Sequence, residues 1–270
     1  MFKYKIRFFT LVVLLVSCIC LCAQIESADS LNNHFYFVHL TDTHVGTENN
    51  LELTQKIVEQ INNLPMHIQC IVHTGDIVNY GMEDTIAVIN AISALEQLEA
   101  PLLMIPGNHD IYRNNLEGTK DAYIEHFGPL LTENEFGEIV FIGLYSNPLA
   151  RSFLVEDFEP LSELEEALQR AEGKPTVVFH HIPSVEDFYL NQMHSGWEND
   201  IRSKWEEVLN AYNVIGVLAG HFHRDEHYWL GDIPLYISTP VTDHWGRQPS
   251  FRIFEYKNGR LNYRTQYLER

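Results

Sequence analysis

Apolar residues recur along the chain in short continuous runs, and the segments between them carry apolar residues at helical spacing. A buried strand reads as a continuous apolar run, and six strands are predicted, at 34–40, 68–73, 101–105, 137–145, 175–179 and 214–219. Five helices are predicted between them, at 50–64, 82–98, 121–127, 161–171 and 200–212. In the second helix, the residues expected to form the buried face are Ile86, Ile89, Ile92 and Leu95.

After residue 226 the pattern changes to short β segments separated by turns. Four strands are predicted there, at 227–230, 234–238, 251–256 and 261–267. The Asn258-Gly259 pair between the last two predicts a tight hairpin. Strand–helix alternation followed by hairpins predicts an α/β fold with two facing sheets and helices outside. A chain of 270 residues is long enough for one such domain with a full core.

The first 23 residues predict an export signal. A basic start, Met1 to Arg7, precedes an uncharged apolar stretch that ends at Ala23, as in a secretory signal peptide. Cleavage after Ala23 would leave a flexible lead at 24–33 and a domain at 34–270. The alternative is a lipobox ending at Cys18, which would leave a lipidated, membrane-anchored protein. Either interpretation predicts export, to a bacterial periplasm or outside the cell.

Charge and cysteine content narrow the classes of partner and site. Acidic residues outnumber basic ones by 37 to 18, and the formal net charge is −19. Such a surface repels polyanions, which argues against a nucleic acid substrate. Cys70 is the one cysteine beyond the predicted signal, so the sequence predicts neither an internal disulfide nor a thiolate metal site.

Side chains that bind metals follow five of the predicted strands. Because α/β sheets place their sites at the carboxyl ends of strands, these side chains are expected to meet. Two Asp, one Asn and four His make up the candidate ligand set: Asp42, His44, Asp76, Asn108, His181, His221 and His223. His39, His73 and His180 are interpreted as structural, although His180 remains an alternative ligand to its neighbour His181.

Seven ligands are more than one tetrahedral ion with an open position can use. They fit two ions that share a bridging carboxylate, and oxygen and imidazole ligands without thiolate favour Mn, Fe or Zn. Two ions about 3.5–4 Å apart form the clamp used in phosphoester hydrolysis. The sequence therefore predicts a dinuclear site for two divalent or transition metal ions.

Taken together, the five motifs resemble those of the calcineurin-like metallophosphoesterases: Asp42-x-His44, Gly75-Asp76-x-x-Asn79, Gly107-Asn108-His109-Asp110, His181-x-Pro183 and Gly220-His221-x-His223. The resemblance implies a four-layer αββα sandwich of two mixed sheets with the dinuclear site at the strand ends. It also implies the distribution of ligands: Asp42, His44, Asp76 and His223 on one ion, and Asp76, Asn108, His181 and His221 on the other. His109 would be a catalytic residue outside the ligand set, oriented by Asp110.

One departure from a branch of the family narrows the expected activity. The purple acid phosphatase branch has glycine and tyrosine where this chain has His44 and Asn79. The resemblance is therefore to the Asp-x-His branch, which includes phosphodiesterases of small diesters. The implied reaction is attack on phosphorus by hydroxide generated at the metals, with His109 protonating the leaving group.

Substrate and assembly are left open by the sequence. The implied substrate is a small phosphoester, most directly a diester, and the alternatives are a phosphomonoesterase, a nuclease and a secreted scaffold without activity. A group of aromatic and histidine residues either lines the substrate rim or packs within loops: Tyr189, His194, Trp197, His244 and Trp245. No oligomeric state is predicted, and a membrane partner is expected only if Cys18 is lipidated.

Overall fold

This computed structural model describes residues 34–186, 195–197, 199–243 and 248–269. The predicted signal peptide (1–23) and lead (24–33) lie outside the described residues. So do four of the rim candidates, Tyr189, His194, His244 and Trp245.

The described residues form an alternating series of strands and helices. The strands are β1 (His34–Leu40), β2 (Ile68–His73), β3 (Leu102–Met104), β4 (Leu131–Phe136), β5 (Ile139–Leu144), β6 (Thr176–Phe179), β7 (Val214–Ala219), β8 (Glu226–Leu230), β9 (Ile233–Ile237), β10 (Ser250–Lys257) and β11 (Arg260–Tyr267). The helices are α1 (Asn50–Asn62), α2 (Thr85–Leu95), α3 (Leu116–Phe127), α4 (Asn147–Arg151), α5 (Pro160–Arg170) and α6 (Asn199–Asn210).

The strands form two mixed sheets. The first has the order β11-β10-β1-β2-β3 and the second the order β4-β5-β6-β7-β9-β8. Strands β1, β2 and β3 are parallel, as are β5, β6, β7 and β9, while antiparallel strands complete both sheets. Because parallel neighbours end at the same edge, each sheet gathers its post-strand loops at one edge.

Aromatic rings fill the space between the two sheets. Phe37 of β1 stacks on Phe254 of β10 at a centroid distance of 4.9 Å and meets Phe141 of β5 edge-on at 5.0 Å. On the outer faces, α1 packs on the first sheet, and α5 and α6 pack on the second. The predicted four-layer αββα sandwich is therefore confirmed.

Helix α2 buries only part of the predicted face: Leu95 is buried and Ile92 packs against the same cluster, but the two isoleucines of the first turns do not. Ile86 and Ile89 are 74% and 58% exposed, whereas the buried residues are Ala87, Val88, Ala91, Ala94 and Leu95. The isoleucines have the stronger apolar signal, but the alanine face lets the helix come close to its neighbours: a Cβ atom built at Gly46 would lie 2.8 Å from Cβ of Ala87. The close approach of the backbone outweighed side-chain hydrophobicity.

Three elements were missed, namely β4, α4 and a 3-10 turn at Arg113–Asn115, and one helix was predicted too short. The four consecutive polar residues of β4, Thr132 to Glu135, do not read as a buried run, because this strand lies at the sheet edge. Helix α4 has only five residues, too few to show a period. Helix α3 begins at Leu116, before the predicted start at 121. Among the described residues, no helix combines the length and apolar character needed to cross a bilayer.

Candidate metal centre

The loops that follow the strands are joined by backbone hydrogen bonds at one end of the sandwich. The N–H groups of Asp42 and His44 donate to the carbonyls of Gly75 and Asp76, each at 3.0 Å. The N–H of His221 donates to Oδ2 of Asp42 at 3.1 Å. Loops from both sheets are therefore fixed against one another around the candidate ligands.

Five of the candidate ligands have left-handed backbone conformations. Their φ values are 54° at Asp42, 42° at His44, 54° at Asp76, 65° at His221 and 54° at His223. This region is uncommon for non-glycine residues, and such conformations persist where surrounding structure fixes them, often at functional sites.

Two glycines allow the loops after β2 and β3 to touch. A Cβ atom at Gly107 would lie 2.1 Å from Oδ1 of Asp76, and one at Gly75 would lie 2.4 Å from the backbone nitrogen of Gly107. Both positions exclude any side chain. The contact places Asp76 directly beside the turn that carries Asn108 and His109.

The first cluster consists of Asp42, His44 and His223, whose potential ligand atoms all lie within 4.8 Å of one another. Nε2 of His223 lies 3.0 Å from Oδ1 of Asp42 and 3.3 Å from Nε2 of His44. All three side chains are buried. They come from the loops after β1 and β7, so this cluster joins the two sheets.

The second cluster consists of Asp76, His181 and His221, again with ligand atoms within 4.8 Å of one another. Nε2 of His181 lies 3.1 Å from Oδ2 of Asp76 and 3.1 Å from Oδ1 of Asn108. The same Oδ2 atom of Asp76 lies 3.7 Å from Nε2 of His44 in the first cluster. One carboxylate oxygen therefore connects the two clusters.

The charges in the clusters depend on one another. Burial opposes ionisation of Asp42 and Asp76, but the neighbouring imidazoles hold the pKa of both carboxyl groups below the usual range. Burial lowers the pKa of His181, yet the adjacent Asp76 carboxylate raises it to about 9. Without metal, a protonated His181 thus compensates part of the buried negative charge.

The donor set fits two divalent ions. Each cluster offers carboxylate oxygen and imidazole nitrogen, and Asn108 adds an amide oxygen to the second. Buried carboxylates and imidazoles converging without thiolate suit divalent first-row metals. Seven such donors are more than one tetrahedral ion can use. With one shared oxygen, they are enough for two ions.

His109 lies beside both clusters. Its Nδ1 atom lies 2.8 Å from the carbonyl of Asn79, and its backbone N–H donates to Oδ1 of Asp76 at 2.7 Å. Its ring meets the ring of His44 edge-on at a centroid distance of 4.8 Å. Burial lowers the pKa of His109, but the charge of Asp76 and the bond to Asn79 raise it above the ordinary histidine value.

The calcineurin-like phosphoesterase family model matches residues 35–225, which span all five motifs and both clusters. The chain belongs to the calcineurin-like phosphoesterase family. It is a hydrolase that acts on ester bonds, with a site for divalent metals at the strand ends.

Two curated proteins that are similar to this chain are informative. The serine/threonine-protein phosphatase CPPED1 of Mus musculus is 25% identical over 246 residues, 79% of this chain and 77% of that protein. The probable glycerophosphodiester phosphodiesterase GpdQ of Arcobacter nitrofigilis is 27% identical over 202 residues, 69% of this chain and 71% of that protein.

A solved structure has the same fold. The dimetal phosphatase from Danio rerio superposes with a TM-score of 0.61 at 14% sequence identity, covering 87% of this chain and 99% of that one. At this level of identity the likeness extends to the fold alone.

The structure corrects the prediction that Asp110 orients His109. The Asp110 carboxylate accepts three backbone N–H groups, from Ile77 and Val78 on Oδ1 and from Gly107 on Oδ2, at 2.7–3.0 Å. The His109 imidazole contacts the carbonyl of Asn79 instead. Sequence adjacency could not reveal this arrangement, because neighbouring side chains at a turn point in different directions.

The alternatives at the fourth motif are separated by the structure. His181 lies in the second cluster, whereas the His180 ring packs between Trp197 and Trp205 with centroids 5.5 and 5.1 Å away. Nδ1 of His180 contacts the Ser146 hydroxyl at 3.2 Å, and burial lowers the pKa of His180 to about 3. His180 is therefore a core histidine.

Trp197 does not lie at a substrate rim. The side chain is 3% exposed, and its indole N–H donates to the carbonyl of Ile182 at 2.8 Å. Its ring packs against Trp205 at a centroid distance of 5.0 Å. The structure therefore supports the alternative interpretation for this residue, packing rather than substrate contact.

His39 and His73 contact the loop that follows β2. Nε2 of His39 lies 3.0 Å from the hydroxyl of Thr74, and Nδ1 of His73 accepts the N–H of Gly75 at 3.1 Å. Both are fully buried, and burial lowers the pKa of each. Their placement agrees with the structural interpretation.

One polar residue near the clusters was missed by the sequence. Nη2 of Arg151 lies 3.5 Å from Nε2 of His221. Arg151 ends the short helix α4 and belongs to none of the five motifs, so no local signal marks it. Only the fold brings α4 to this end of the second sheet.

Proposed function

We propose that this protein hydrolyses small phosphodiesters with two divalent ions, drawn from Mn, Fe and Zn. The observation that carries the proposal is the position of Oδ2 of Asp76, 3.1 Å from Nε2 of His181 and 3.7 Å from Nε2 of His44. Asp42, His44, Asp76 and His223 would hold one ion, and Asp76, Asn108, His181 and His221 the other. When bound, the ions would activate water and offset negative charge on the phosphate.

His109 is proposed to protonate the leaving oxygen. The Asn79 carbonyl accepts from Nδ1, which leaves Nε2 as the atom that can give up a proton. A positioned imidazole of this kind is the most common general acid in enzymes.

Support for a diester substrate comes from the first motif and from one relative. His44 in the first motif is a feature of the Asp-x-His branch, and GpdQ of Arcobacter nitrofigilis is named a probable glycerophosphodiester phosphodiesterase. A phosphomonoester is the second candidate, because CPPED1 of Mus musculus is named a protein phosphatase. The two differ in the number of terminal oxygens that the site must bind.

A turnover screen of the metal-loaded protein tests the proposal. We expect the highest kcat/KM on a small diester among glycerophosphodiesters, cyclic nucleotides, phosphomonoesters and phosphopeptides. A higher value on monoesters would establish the second candidate instead. Faster cleavage of DNA or RNA at moderate salt would contradict the argument from net charge.

The same preparation separates an enzyme from a scaffold of the same fold. All seven candidate ligand positions carry metal-binding side chains, which supports catalysis. We expect close to two metals per chain after loading. Less than one metal per chain, with no turnover of any ester, would favour the scaffold.

We also propose that the protein is exported to a periplasm or outside the cell. The basic start and the apolar stretch ending at Ala23 support this proposal. The mass of the mature protein tests it, because cleavage after Ala23 leaves Gln24 first, whereas lipidation leaves a diacylated Cys18. A full-length chain starting at Met1 in the cytoplasm would contradict export.

A further inference from the structure

The last hairpin of the chain has the opposite charge balance to the whole. Acidic residues outnumber basic ones by 37 to 18 in the full chain, but the segment Ser250–Tyr267, which forms β10 and β11, contains four basic residues and one acidic residue. Arg252 is buried and paired with an aspartate, whereas Lys257, Arg260 and Arg264 are exposed. A charge asymmetry of this kind indicates an interaction surface.

The three exposed cations lie on one face of the first sheet. Lys257 of β10 is the register partner of Arg260 in β11, and Arg264 lies four residues further along β11. Because side chains alternate along a strand, all three project to the side opposite to Phe254 and Tyr256, which pack between the sheets. None of the three forms an ion pair with another described residue. We call Lys257, Arg260 and Arg264 the basic face.

The N-terminal segment joins the domain beside the basic face. His34, the first described residue, is the register partner of Lys257. Its Nε2 atom lies 2.8 Å from Oε1 of Glu255, the acidic residue of the hairpin. Cys18 precedes His34 by 16 positions, and an extended chain of that length spans at most about 50–60 Å. A chain attached to a bilayer through its N-terminal segment therefore holds the basic face within reach of the lipid headgroups.

Anionic headgroups attract a cluster of cations of this kind. Each Lys or Arg near an anionic lipid surface strengthens binding about fivefold. The acidic remainder of the chain opposes binding, but the Debye length is only about 8 Å at physiological ionic strength. Charges on the far side of the domain are therefore screened from the lipid surface. The local charge of the docked face, rather than the net charge of the chain, decides whether the protein binds.

We propose that the basic face docks on the surface of an anionic lipid bilayer. Docking gives the domain an orientation, because β1 begins at His34 beside Lys257 and ends at Leu40, two residues before the candidate ligand Asp42. Its seven residues separate the two ends by about 20 Å. The metal centre therefore opens away from the docked surface. It faces water-soluble phosphoesters rather than lipids of the bilayer, a consequence that rests on the proposed phosphoesterase function.

Co-sedimentation with lipid vesicles tests the docking without turnover. The mature, metal-loaded protein is mixed with vesicles of equal parts phosphatidylglycerol and phosphatidylcholine and, in parallel, with vesicles of phosphatidylcholine alone. We expect stronger binding to the anionic vesicles and loss of this difference in high salt. The variant K257Q/R260Q/R264Q should lower the partition coefficient roughly 100-fold, about fivefold for each charge removed.

A second triple variant has the same net charge but keeps the basic face. R170Q/K174Q/K204Q removes three cations on the side of the second sheet: Arg170 and Lys174 pair with glutamates of β4, and Lys204 lies on α6. Because screening removes distant charges from the balance, its partition coefficient should stay within about twofold of the parent's. Urea denaturation of both variants checks that neither change unfolds the domain.

Turnover in the presence of vesicles tests the orientation separately. Parent protein bound to anionic vesicles should hydrolyse a water-soluble diester with the same kcat/KM as the free protein. A centre that is blocked on binding would contradict the orientation. A protein that docks but hydrolyses no ester with or without vesicles would refute the proposed function and leave the docking in place.

Four results would overturn the docking itself. They are an equal fall in the two triple variants, equal binding of the parent to neutral and anionic vesicles, an unchanged partition coefficient in K257Q/R260Q/R264Q, and no binding by the parent. If the unchanged coefficient comes with self-association of that variant, the charges protect the edge strand β11 from pairing. If the parent binds no vesicle but forms a dimer that the variant loses, the basic face binds a second copy of the chain.

Discussion

At the scale of single residues, the position of His109 allows proton transfer to be tested separately from metal binding. Its backbone N–H, rather than its side chain, holds Asp76. We therefore predict that H109A slows hydrolysis of alkyl esters about 10²–10⁴-fold, the range for one proton donor, while leaving the metals in place. Hydrolysis of nitrophenyl esters should fall much less, because that leaving group needs no proton.

The measurement is kcat/KM on an alkyl and a nitrophenyl ester, with metal content determined in parallel. Y112F is the matched control, since the Tyr112 hydroxyl donates to the same Asn79 carbonyl at 3.0 Å without contributing a proton to the reaction. Equal losses on both esters in H109A would exclude a general acid. Loss of metal would make His109 a ligand, a possibility raised by its grouping with His44 and Asp76.

A second residue-scale prediction concerns the oxygen shared by the clusters. D76N should lower the occupancy of both metal positions, because Oδ2 of Asp76 lies beside His181 and His44 alike. N108A should empty mainly one position, because Asn108 contacts His181, which belongs to the second cluster. Metal analysis after identical loading compares the two variants. Equal metal content in parent, D76N and N108A would refute the shared role.

At the scale of elements, Asp110 joins the loop after β2 to the turn after β3. Removing its carboxylate leaves three buried N–H groups without a partner, and each such loss costs about 1–3 kcal/mol. We predict that D110A lowers the free energy of unfolding by at least about 3 kcal/mol, measured by urea denaturation. D110N should lose less, because one acceptor oxygen remains.

The same pair of variants tests the corrected role of Asp110. If the Asn79 carbonyl holds His109, folded D110N should keep the parent's ratio of alkyl to nitrophenyl ester hydrolysis. A ratio that shifts as it does in H109A would restore the predicted contact between Asp110 and His109.

How much could be predicted from sequence also differs between elements. Strands β1, β2 and β7 begin and end where the apolar runs do, and the candidate ligands meet because each directly follows such a strand. The partner of His109 was not predictable, because Asn79 belongs to a different loop. The alanine positions on the buried face of α2 were missed because alanine has a weak apolar signal, and Arg151 was missed because its five-residue helix is too short to show a period.

At the scale of the whole molecule, the metal centre joins the two sheets. Asp42, His44, Asp76 and Asn108 follow strands of the first sheet, and His181, His221 and His223 follow strands of the second. Each ion that binds only the folded chain stabilises it by about 2.7 kcal/mol at 100 times its Kd, so two such ions contribute about 5.4 kcal/mol. For a domain of this size, each kcal/mol corresponds to about 2–4 °C in Tm.

We therefore predict that removing both metals with a chelator lowers Tm by about 10–20 °C and that reloading restores it. Scanning calorimetry with metal near 100 times its Kd, and then with excess chelator, makes the comparison. D76N is the control, and its Tm should change little on chelation. If the Tm of the parent does not respond to the chelator, the ions do not stabilise the packing of the two sheets.

The position of β1 in its sheet has a consequence for biosynthesis. Of the strands in the described residues, β1 is synthesised first, yet it pairs on one side with β10, and the His34 ring contacts a carboxylate 221 residues later. That side of β1 stays unpaired until β10 has been made, and Phe35 and Phe37 lack their contacts with Tyr256 and Phe254 until then. A growing chain of this topology exposes the edge of β1 until the β10–β11 hairpin is made, which gives chaperones a long interval in which to bind it.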